Sequence, residues 1–561
     1  MIHILKFICL SLLFLGCSEE FLEINPQGSL NPEVLNNKAG VETSLIATYA
    51  MLDGWNNSWA DLSPPWATSG SNWIWGSVAS DDAYKGSEAG DREEISQIEL
   101  YQWGADNPYL DAKFKALYEG ISRANTTKKL LLDAEDISVD EQARLDGEIR
   151  FLRAHFHFEA VKIWGKVPYY DETDEYFKKP NELDIIPDII ADLELAIASL
   201  PISSSEKGRA TKGAAQAYLG KIYLYQGNWR EAKTQLEALV NSGQYALNDC
   251  FQAMFTTADE NGAEMIFSIQ ASVNDGTEGG ENGNFGDRLN FPHGASPFGC
   301  CGFHQPSQNL VNAYKVDAQG LPLLDTFNDT DVDPQVDAID PRVDWTVGRD
   351  GVPYLDWGIH AANWIRDRDW AGPFSPKKFT HRRGEESTVG WSNLTLSPIN
   401  IPIIRYADVL LMLAEAEVEL ANLEAARELV NRIRQRAANC AQGPLEGENQ
   451  VPINDASISW AQYKVEPYRD AWLDQERARK AVRFERRLEL ALEGHRLFDL
   501  RRWGIAQQVL NTYLAIEQTK RNYLSMASPY ELRHEFFPLP TNQIELSREG
   551  GVAQLIQNTG W

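Results

Sequence analysis

Tryptophan is the residue type whose placement best indicates a binding site in this sequence. Of the 17 tryptophans, 11 lie outside the stretches with helical periodicity. A flat indole covers the apolar C–H face of a sugar ring, while nearby polar groups hold the hydroxyls at the ring's edge. We expect one or two of these rings to be ligand platforms, the alternative for any single ring being a small core that anchors its loop. The 11 are Trp55, Trp59, Trp66, Trp73, Trp75, Trp103, Trp345, Trp357, Trp364, Trp370 and Trp391.

Eight of the residues in these irregular stretches form the predicted ligand site. Loops on a rigid scaffold are where binding groups usually lie. One candidate, Asp82, lies in the run Asp81-Asp82-Ala83-Tyr84. For this run the favoured interpretation is that the carboxylates only shape the loop and do not contact a ligand. The candidate rings are Trp73, Trp75, Trp357, Trp364 and Trp370, and the candidate partners for sugar hydroxyls are Asn72, Asp82 and His304.

Other residues with reactive side chains do not form a recognisable catalytic or metal-binding motif. His155 and His157 are two apart on a predicted helix, so their rings diverge. Asp329, Asp331 and Asp333 alternate as in a calcium loop, but a proline follows where that loop needs glycine. The sequence contains no Gly-x-Ser-x-Gly, phosphate-loop or His-Glu-x-x-His motif. We therefore predict neither enzymatic activity nor a metal or other cofactor, with a glycoside hydrolase using paired carboxylates as the weaker alternative.

Net charge restricts the partners of the chain. The formal charge of -29 repels phosphate backbones and anionic headgroups, so nucleic acid is excluded as a partner and uncharged ligands are favoured. The alternative is that the charge serves solubility alone.

The N-terminus has the pattern of a secreted lipoprotein. Lys6 precedes an apolar run that is too short to span a bilayer and fits a signal-peptide core. Gly16 before Cys17 resembles a lipoprotein processing site, and the acidic residues after it resemble a tag for export to the cell surface. We predict a signal peptide over 1–16 and a tether over 17–37 that is lipidated at Cys17, the alternative being an ordinary secretory signal cut elsewhere.

The remaining cysteines are too few for a disulfide framework in a chain of 561 residues. Cys250 and Cys440 are isolated in sequence. Cys300 and Cys301 are adjacent, and the sequence leaves open whether they form a vicinal disulfide or stay free thiols.

Helical periodicity dominates two parts of the chain and is absent between them. Glycine, proline and aromatic residues replace it over about 250–400, which predicts a loop-rich subdomain with short strands. A smaller irregular insertion covers 54–104. Helices are predicted at 39–53, 107–133, 138–164, 183–199, 211–226, 229–241, 402–421, 424–438 and 467–503.

Two helix pairs share the spacing of the 34-residue tetratricopeptide repeat. The first includes Leu219-Gly220 and Ala232, and the second repeats its offsets from Leu413-Ala414 to Ala426. Small residues at these positions allow paired helices to approach closely. The fold class is therefore mainly α: a tetratricopeptide-like superhelix of helical pairs with a large loop-rich insertion containing short strands.

Six blocks in order resemble the SusD/RagB family of outer-membrane nutrient-binding lipoproteins, and their order and spacing extend over essentially the whole chain. They are CSEEFLEINPQG, EIRFLRAHFHFEAVKIWGKVPYY, RATKGAAQAYLGKIYLYQGNWREA, PIIRYADVLLMLAEAE, ERRLELALEGHRLFDLRRWG and FFPLPTNQIELS.

The resemblance implies one SusD-like domain over 38–561, with a helical scaffold at about 38–250 and 400–561 and the loop-rich part at about 250–400. It further implies a surface-exposed protein, anchored by lipid in the outer membrane, that binds a glycan or oligosaccharide. The implied partner is a SusC-like TonB-dependent transporter barrel, to which the ligand is delivered. The alternatives are a peptide-binding member of the same uptake system and a protein that only holds another protein.

Overall fold

The computed structural model describes residues 35–55, 64–446 and 449–561. The predicted signal peptide, Cys17, most of the tether and Trp59 lie outside these residues. The predicted boundaries between tether, scaffold and loop-rich part stay predictions.

The described residues are mostly helical. The helices are α1 Lys38–Tyr49, α2 Pro65–Thr68, α3 Glu93–Glu99, α4 Pro108–Asp133, α5 Val139–Trp164, α6 Ile186–Ser199, α7 Lys212–Tyr225, α8 Trp229–Asn241, α9 Gln308–Ala313, α10 Val343–Thr346, α11 Arg368–Ala371, α12 Tyr406–Glu419, α13 Leu423–Ala437, α14 Gln475–Leu490, α15 Arg496–Arg502, α16 Ala506–Glu517 and α17 Thr541–Leu546. A π-helical turn at Trp73–Val78 and several short 3-10 helices supplement them.

Short strands form two-stranded sheets in the described part of the chain. The antiparallel pairs are β1 Ala83–Gly86 with β3 Phe303–Pro306, β2 Met265–Ile269 with β7 Ile401–Arg405, β5 Val347–Gly348 with β6 Ser375–Pro376, and β8 Ala441–Gln442 with β9 Gln450–Val451; β4 Ala338–Ile339 and β10 Gln462–Tyr463 are parallel.

The predicted repeat pairs are antiparallel neighbours in the structure. A Cβ at Gly220 would lie 2.7 Å from the Leu236 side chain, so glycine permits the close approach of α7 and α8. The turn between these helices contains Gly227 at φ +69°, and Ala421 occupies the same offset between α12 and α13 at φ +62°. The two pairs therefore share a left-handed residue in the turn that joins their helices. Together with the mostly helical structure, these pairs confirm the predicted mainly helical, tetratricopeptide-like fold.

Two predicted helices differ from the structure. Residues 401–405 form strand β7 rather than the start of a helix, because this β-branched, proline-containing segment pairs with β2. The predicted helix over 467–503 begins only at Gln475 and is divided after Leu490. Gly494 lies in that break at φ +73°, where a Cβ would meet the Ser71 carbonyl at 2.0 Å.

Buried ion pairs connect β7, α13 and α14. Arg436 of α13 contacts Glu264 at 3.0 Å and also pairs with Glu489 of α14, and these groups lie in the interior. Arg405 contacts Glu264 at 2.9 Å, Glu489 at 2.7 Å and Glu493 at 2.8 Å. Arg342 joins Asp340, Glu485 and Glu489 at 2.7–2.9 Å with no exposed surface on any partner.

Both described cysteine pairs are disulfides. Cys250 is bonded to Cys440, and Cys300 is bonded to Cys301. The sequence indicated no partner for Cys250 or Cys440, and the fold brings these two residues, 190 positions apart, together. The second resolves the vicinal alternative in favour of the disulfide.

Candidate ligand platform

The predicted site residues of the first insertion are core residues. Trp73 and Trp75 are each 1% exposed. The Trp73 indole N–H donates to the Gly286 carbonyl at 3.0 Å, and that of Trp75 donates to the Ala67 carbonyl at 3.2 Å. Their rings are apolar and their single donors are satisfied, so burial is favourable. The expectation that these two rings face solvent is wrong.

The polar neighbours of Trp73 are buried with it. Asn72 donates to the Glu159 carboxylate at 2.9 Å. The His304 ring lies 5.5 Å from that of Trp73, and burial lowers the pKa of His304 to about 3. Trp73 and His304 line a cavity of about 20 Å³, which has room for a water molecule and none for a sugar. The structure thus places these residues together, but not at a ligand surface.

Trp357 and Trp364 belong to a separate core inside the loop-rich part. Both are buried in a cluster with Phe298 and Tyr354. Trp357 lies 4.6 Å from Phe298, and its N–H donates to the His381 carbonyl at 2.7 Å. These rings therefore belong to a small core that anchors its loops, and the expectation that they are exposed is wrong. The reason is that an insertion of this length needs its own apolar interior to hold its loops.

The last two candidates lie elsewhere. Trp370 is partly buried and stacks on Tyr523 with a centroid distance of 3.9 Å; its role as a ligand contact stays a prediction. The buried Asp82 accepts from Arg487 Nε at 2.9 Å, so it shapes the loop and is not open to a hydroxyl. The eight candidates therefore do not converge on one surface.

Trp391 is the tryptophan of the described residues that has most of its surface open to water. Its side chain is 50% exposed. It lies between Gly390 at φ +89° and Ser392 at φ +49°, both in the left-handed region that turns favour. We call residues 272–288 and 384–397 the Trp391 platform.

The Arg288 guanidinium stacks on one face of the Trp391 ring. Its guanidinium carbon is 4.7 Å from the centroid of Trp391 and 4.7 Å from that of Phe285. The cation therefore lies between two aromatic faces, an arrangement that is favourable when the cation is desolvated. The side chain is 3% exposed, and burial lowers its pKa to about 10. Stacking on Arg288 supports one face of the indole.

Hydrogen bonds between the two segments hold the platform in shape. The Asn274 side chain donates to the Glu386 carbonyl at 3.0 Å and accepts from the Thr388 N–H at 2.8 Å. Within the first segment, Asp275 accepts from Ser272, and from Thr277 and Asn282 at 2.7 Å, and these bonds lower its pKa. Loop residues paired in this way present a side chain with little loss of entropy on binding.

The buried Trp73 anchors the platform to the helical scaffold. Its indole bonds Gly286, two residues before Arg288. Next to it, Asp287 accepts from Ser71 Oγ at 2.5 Å and from the Asn284 amide at 3.0 Å. The two irregular stretches of the sequence therefore meet at this turn, where tryptophan in the first insertion positions an exposed tryptophan in the second.

A second concave surface lies on the helical side of the molecule. This helix-side cleft has a volume of about 610 Å³, which is in the range of ligand pockets. Helix α4, residues 168–179 and the C-terminal segment line it, with Tyr118 and Tyr170 inside and Phe177, 74% exposed, at its rim.

Sequence reasoning included Trp391 among the loop tryptophans but not among the site candidates. The signal that separates it is local: Gly390-Trp391-Ser392-Asn393 places the ring within a run of turn residues. Trp73 and Trp75 instead flank Ile74 in an apolar run, which favours burial.

Comparison with known proteins agrees with this architecture. Residues 263–561, more than half of the chain, match the SusD family. The chain belongs to the SusD family. Residues 20–224 match a second family of SusD-like proteins, described as starch-binding and associating with the outer membrane.

Relatives in the SusD family extend over nearly the whole chain. SusD-like protein P25 of Formosa agariphila is 24% identical over 94% of each chain. A solved laminarin-binding SusD-like protein has a TM-score of 0.66 at 22% identity, covering 94% of this chain and 100% of its own. Surface glycan-binding protein A of Bacteroides fluxus gives the same TM-score, identity and coverage. At these identities the solved structures establish the shared fold.

Proposed function

We propose that this SusD-family protein is a non-catalytic glycan-binding protein of the outer membrane that captures a glycan or oligosaccharide on the Trp391 platform. The observation that carries the proposal is the half-exposed Trp391 ring, held by Arg288 on a hydrogen-bonded loop surface. An indole in this setting offers an apolar face to a sugar ring. The relatives named as binding laminarin or surface glycans support the same ligand class.

The test is binding of the purified protein to a panel of polysaccharides in affinity gels. We expect retention by at least one polysaccharide, and Trp391→Ala should weaken it by about tenfold or more because truncating a hot-spot aromatic residue costs ~2 kcal/mol or more. Phe177→Ala removes an exposed aromatic ring from the helix-side cleft and is the matched control.

Two results would contradict this proposal. Normal retention of Trp391→Ala with loss of retention in Phe177→Ala would move the site to the helix-side cleft. New reducing ends during incubation with a retained polysaccharide would show hydrolysis and refute a purely binding role.

The delivery step completes the proposed function. A lipid on Cys17 anchors the protein at the cell surface, and a SusC-like TonB-dependent transporter barrel accepts the ligand. The signal-peptide pattern before Cys17 supports the anchor. Within the described residues, no helix is long and apolar enough to cross a bilayer. Mass spectrometry of the mature N-terminus and co-purification from outer membranes test this step; an unmodified Cys17 or the absence of a barrel protein would contradict it.

A further inference from the structure

Arg288 is a buried cation for which the described residues provide no counter-ion. It is 3% exposed, and its Nε and Nη2 atoms have no hydrogen-bond partner among the described residues. Burial is the cause of its lowered pKa. A buried guanidinium costs free energy unless an anion compensates it. The two aromatic faces compensate part of this cost but leave the N–H donors unused.

The unused atoms are the side-on edge of the guanidinium, which binds carboxylates with two parallel bonds. The chain uses this edge repeatedly elsewhere. Arg349 Nε and Nη2 donate to the two oxygens of Asp344 at 2.6 and 2.7 Å. Arg496 holds Asp81 in the same way at 2.7 and 2.9 Å, and Arg479 holds Glu419 at 2.6 and 2.8 Å. At Arg288 the same two atoms have no hydrogen-bond partner among the residues that the structure describes.

We propose that the ligand is an acidic glycan, whose carboxylate or sulfate group occupies the Arg288 fork while an adjacent sugar ring rests on Trp391. The inference depends on the proposed function and names the substrate class of the same site. Carboxylates and sulfate esters share the oxygen pair that matches the fork.

Access to the fork passes Trp391. Both donor atoms are shielded from water, and the exposed Trp391 ring lies against the same guanidinium. For an anionic group to reach the donors this side chain must shift, so in the proposed complex Trp391 contributes both to stacking and to entry.

The net charge of the chain opposes this ligand only at long range. The formal charge of -29 lowers the rate at which a polyanion approaches, but salt screens that repulsion beyond about 8 Å at physiological ionic strength. The bond at Arg288 is a short-range contact in a desolvated site, where screening is weak. The general preference for uncharged ligands therefore does not extend to this position.

The experiment compares acidic and neutral probes at about 0.15 M salt. Alginate and oligogalacturonate provide carboxylates, carrageenan and fucoidan provide sulfate esters, and laminarin and amylose are neutral. We expect the wild-type protein to be retained by at least one acidic probe. Arg288→Met should weaken that retention about tenfold or more, because a charge-assisted hydrogen bond contributes ~1.5–3 kcal/mol. The acidic class that is lost identifies the source of the anion.

Two further variants separate charge from geometry and from folding. Arg288→Lys keeps the charge without the fork, and we expect it to lose much of the affinity for the acidic probe. Arg432→Met removes an exposed arginine that stacks on Tyr406 in the helical scaffold, and it should bind as the wild type does. Arg288→Met should melt no lower than the wild type, since it removes an uncompensated charge.

These outcomes separate the acidic-glycan inference from the proposed glycan-binding function on which it depends. Retention by neutral probes alone, or unchanged acidic retention in Arg288→Met, overturns the acidic-glycan inference while the glycan platform stands. Absence of retention by every probe contradicts the platform and the inference together.

Discussion

Trp73 and Trp391 show how one side chain serves two roles in the same molecule. Trp73 has its N–H satisfied by Gly286 and its ring enclosed, so it contributes packing. Trp391 has half of its surface open and is held by a guanidinium, so it is available for contact. Residue type alone marks both positions as suitable for a sugar, and burial decides between them.

Glu99 is a second residue whose environment controls its chemistry. It is buried at the end of α3, where Tyr523 donates to one carboxylate oxygen at 2.5 Å and the other oxygen has no partner in the described part of the chain. Desolvation raises its pKa from 4.5 to about 7. Because the folded-state pKa is raised, the stabilising contribution is present below pH ~4.5 and is lost as the pH rises through ~7.

We therefore expect Glu99→Gln to be more stable than the wild type above pH ~7, by about 3 kcal/mol, and to approach it near pH ~4.5. Urea unfolding at several pH values measures the difference, and Glu93→Gln, at an exposed position of the same helix, is the matched control. A constant difference across this range would exclude Glu99 as the titrating group.

At the scale of elements, the buried ion network determines how β7 and the C-terminal helices pack. Arg405 is 1% exposed and contacts carboxylates from two segments that are distant in sequence. Compared with an apolar core, a complete network of this kind adds little to the free energy of unfolding. Removing one partner, however, leaves the remaining charges buried without compensation.

Arg405→Met should therefore lower the free energy of unfolding by about 3–5 kcal/mol. Denaturant unfolding measures this, with Arg469→Met as control: Arg469 forms an exposed pair with Glu466 at 2.8 Å, which should contribute less than ~1 kcal/mol. Equal effects for the two variants would show that the buried network is not a critical tertiary connection.

At the scale of the whole molecule, the Cys250–Cys440 disulfide joins the start of the loop-rich part to the end of α13. It closes a segment with a separation of 190 residues. Constraining so long a loop removes much conformational freedom from the unfolded chain. The Cys300–Cys301 bond spans adjacent residues and constrains almost none.

Replacing Cys250 and Cys440 by serine should consequently lower the free energy of unfolding by about 3–5 kcal/mol. Replacing Cys300 and Cys301 should change it much less. Thermal melts of both double variants provide the comparison; similar destabilisation of the two would contradict an effect that depends on loop length.

Local sequence pattern determined the scaffold. The spacing of apolar residues and the small side chains at Gly220 and Ala232 predicted the helix pairs, because both depend on neighbours three to four residues apart or on one facing helix. The same local information failed at 467–503, where the helix ends at Leu490 and Gly494 packs closely against the Ser71 carbonyl, a group distant in sequence.

The site was decided by tertiary structure. Whether a tryptophan is enclosed depends on which distant segments pack over it, as Gly286 does over Trp73, and sequence spacing carries no record of that. The Arg288 fork is likewise a tertiary property, because none of the described carboxylates pairs with it. The sequence thus determined that paired helices carry loops rich in aromatic residues. The fold determined which ring and which charge face a ligand, because burial is a property of the assembled chain.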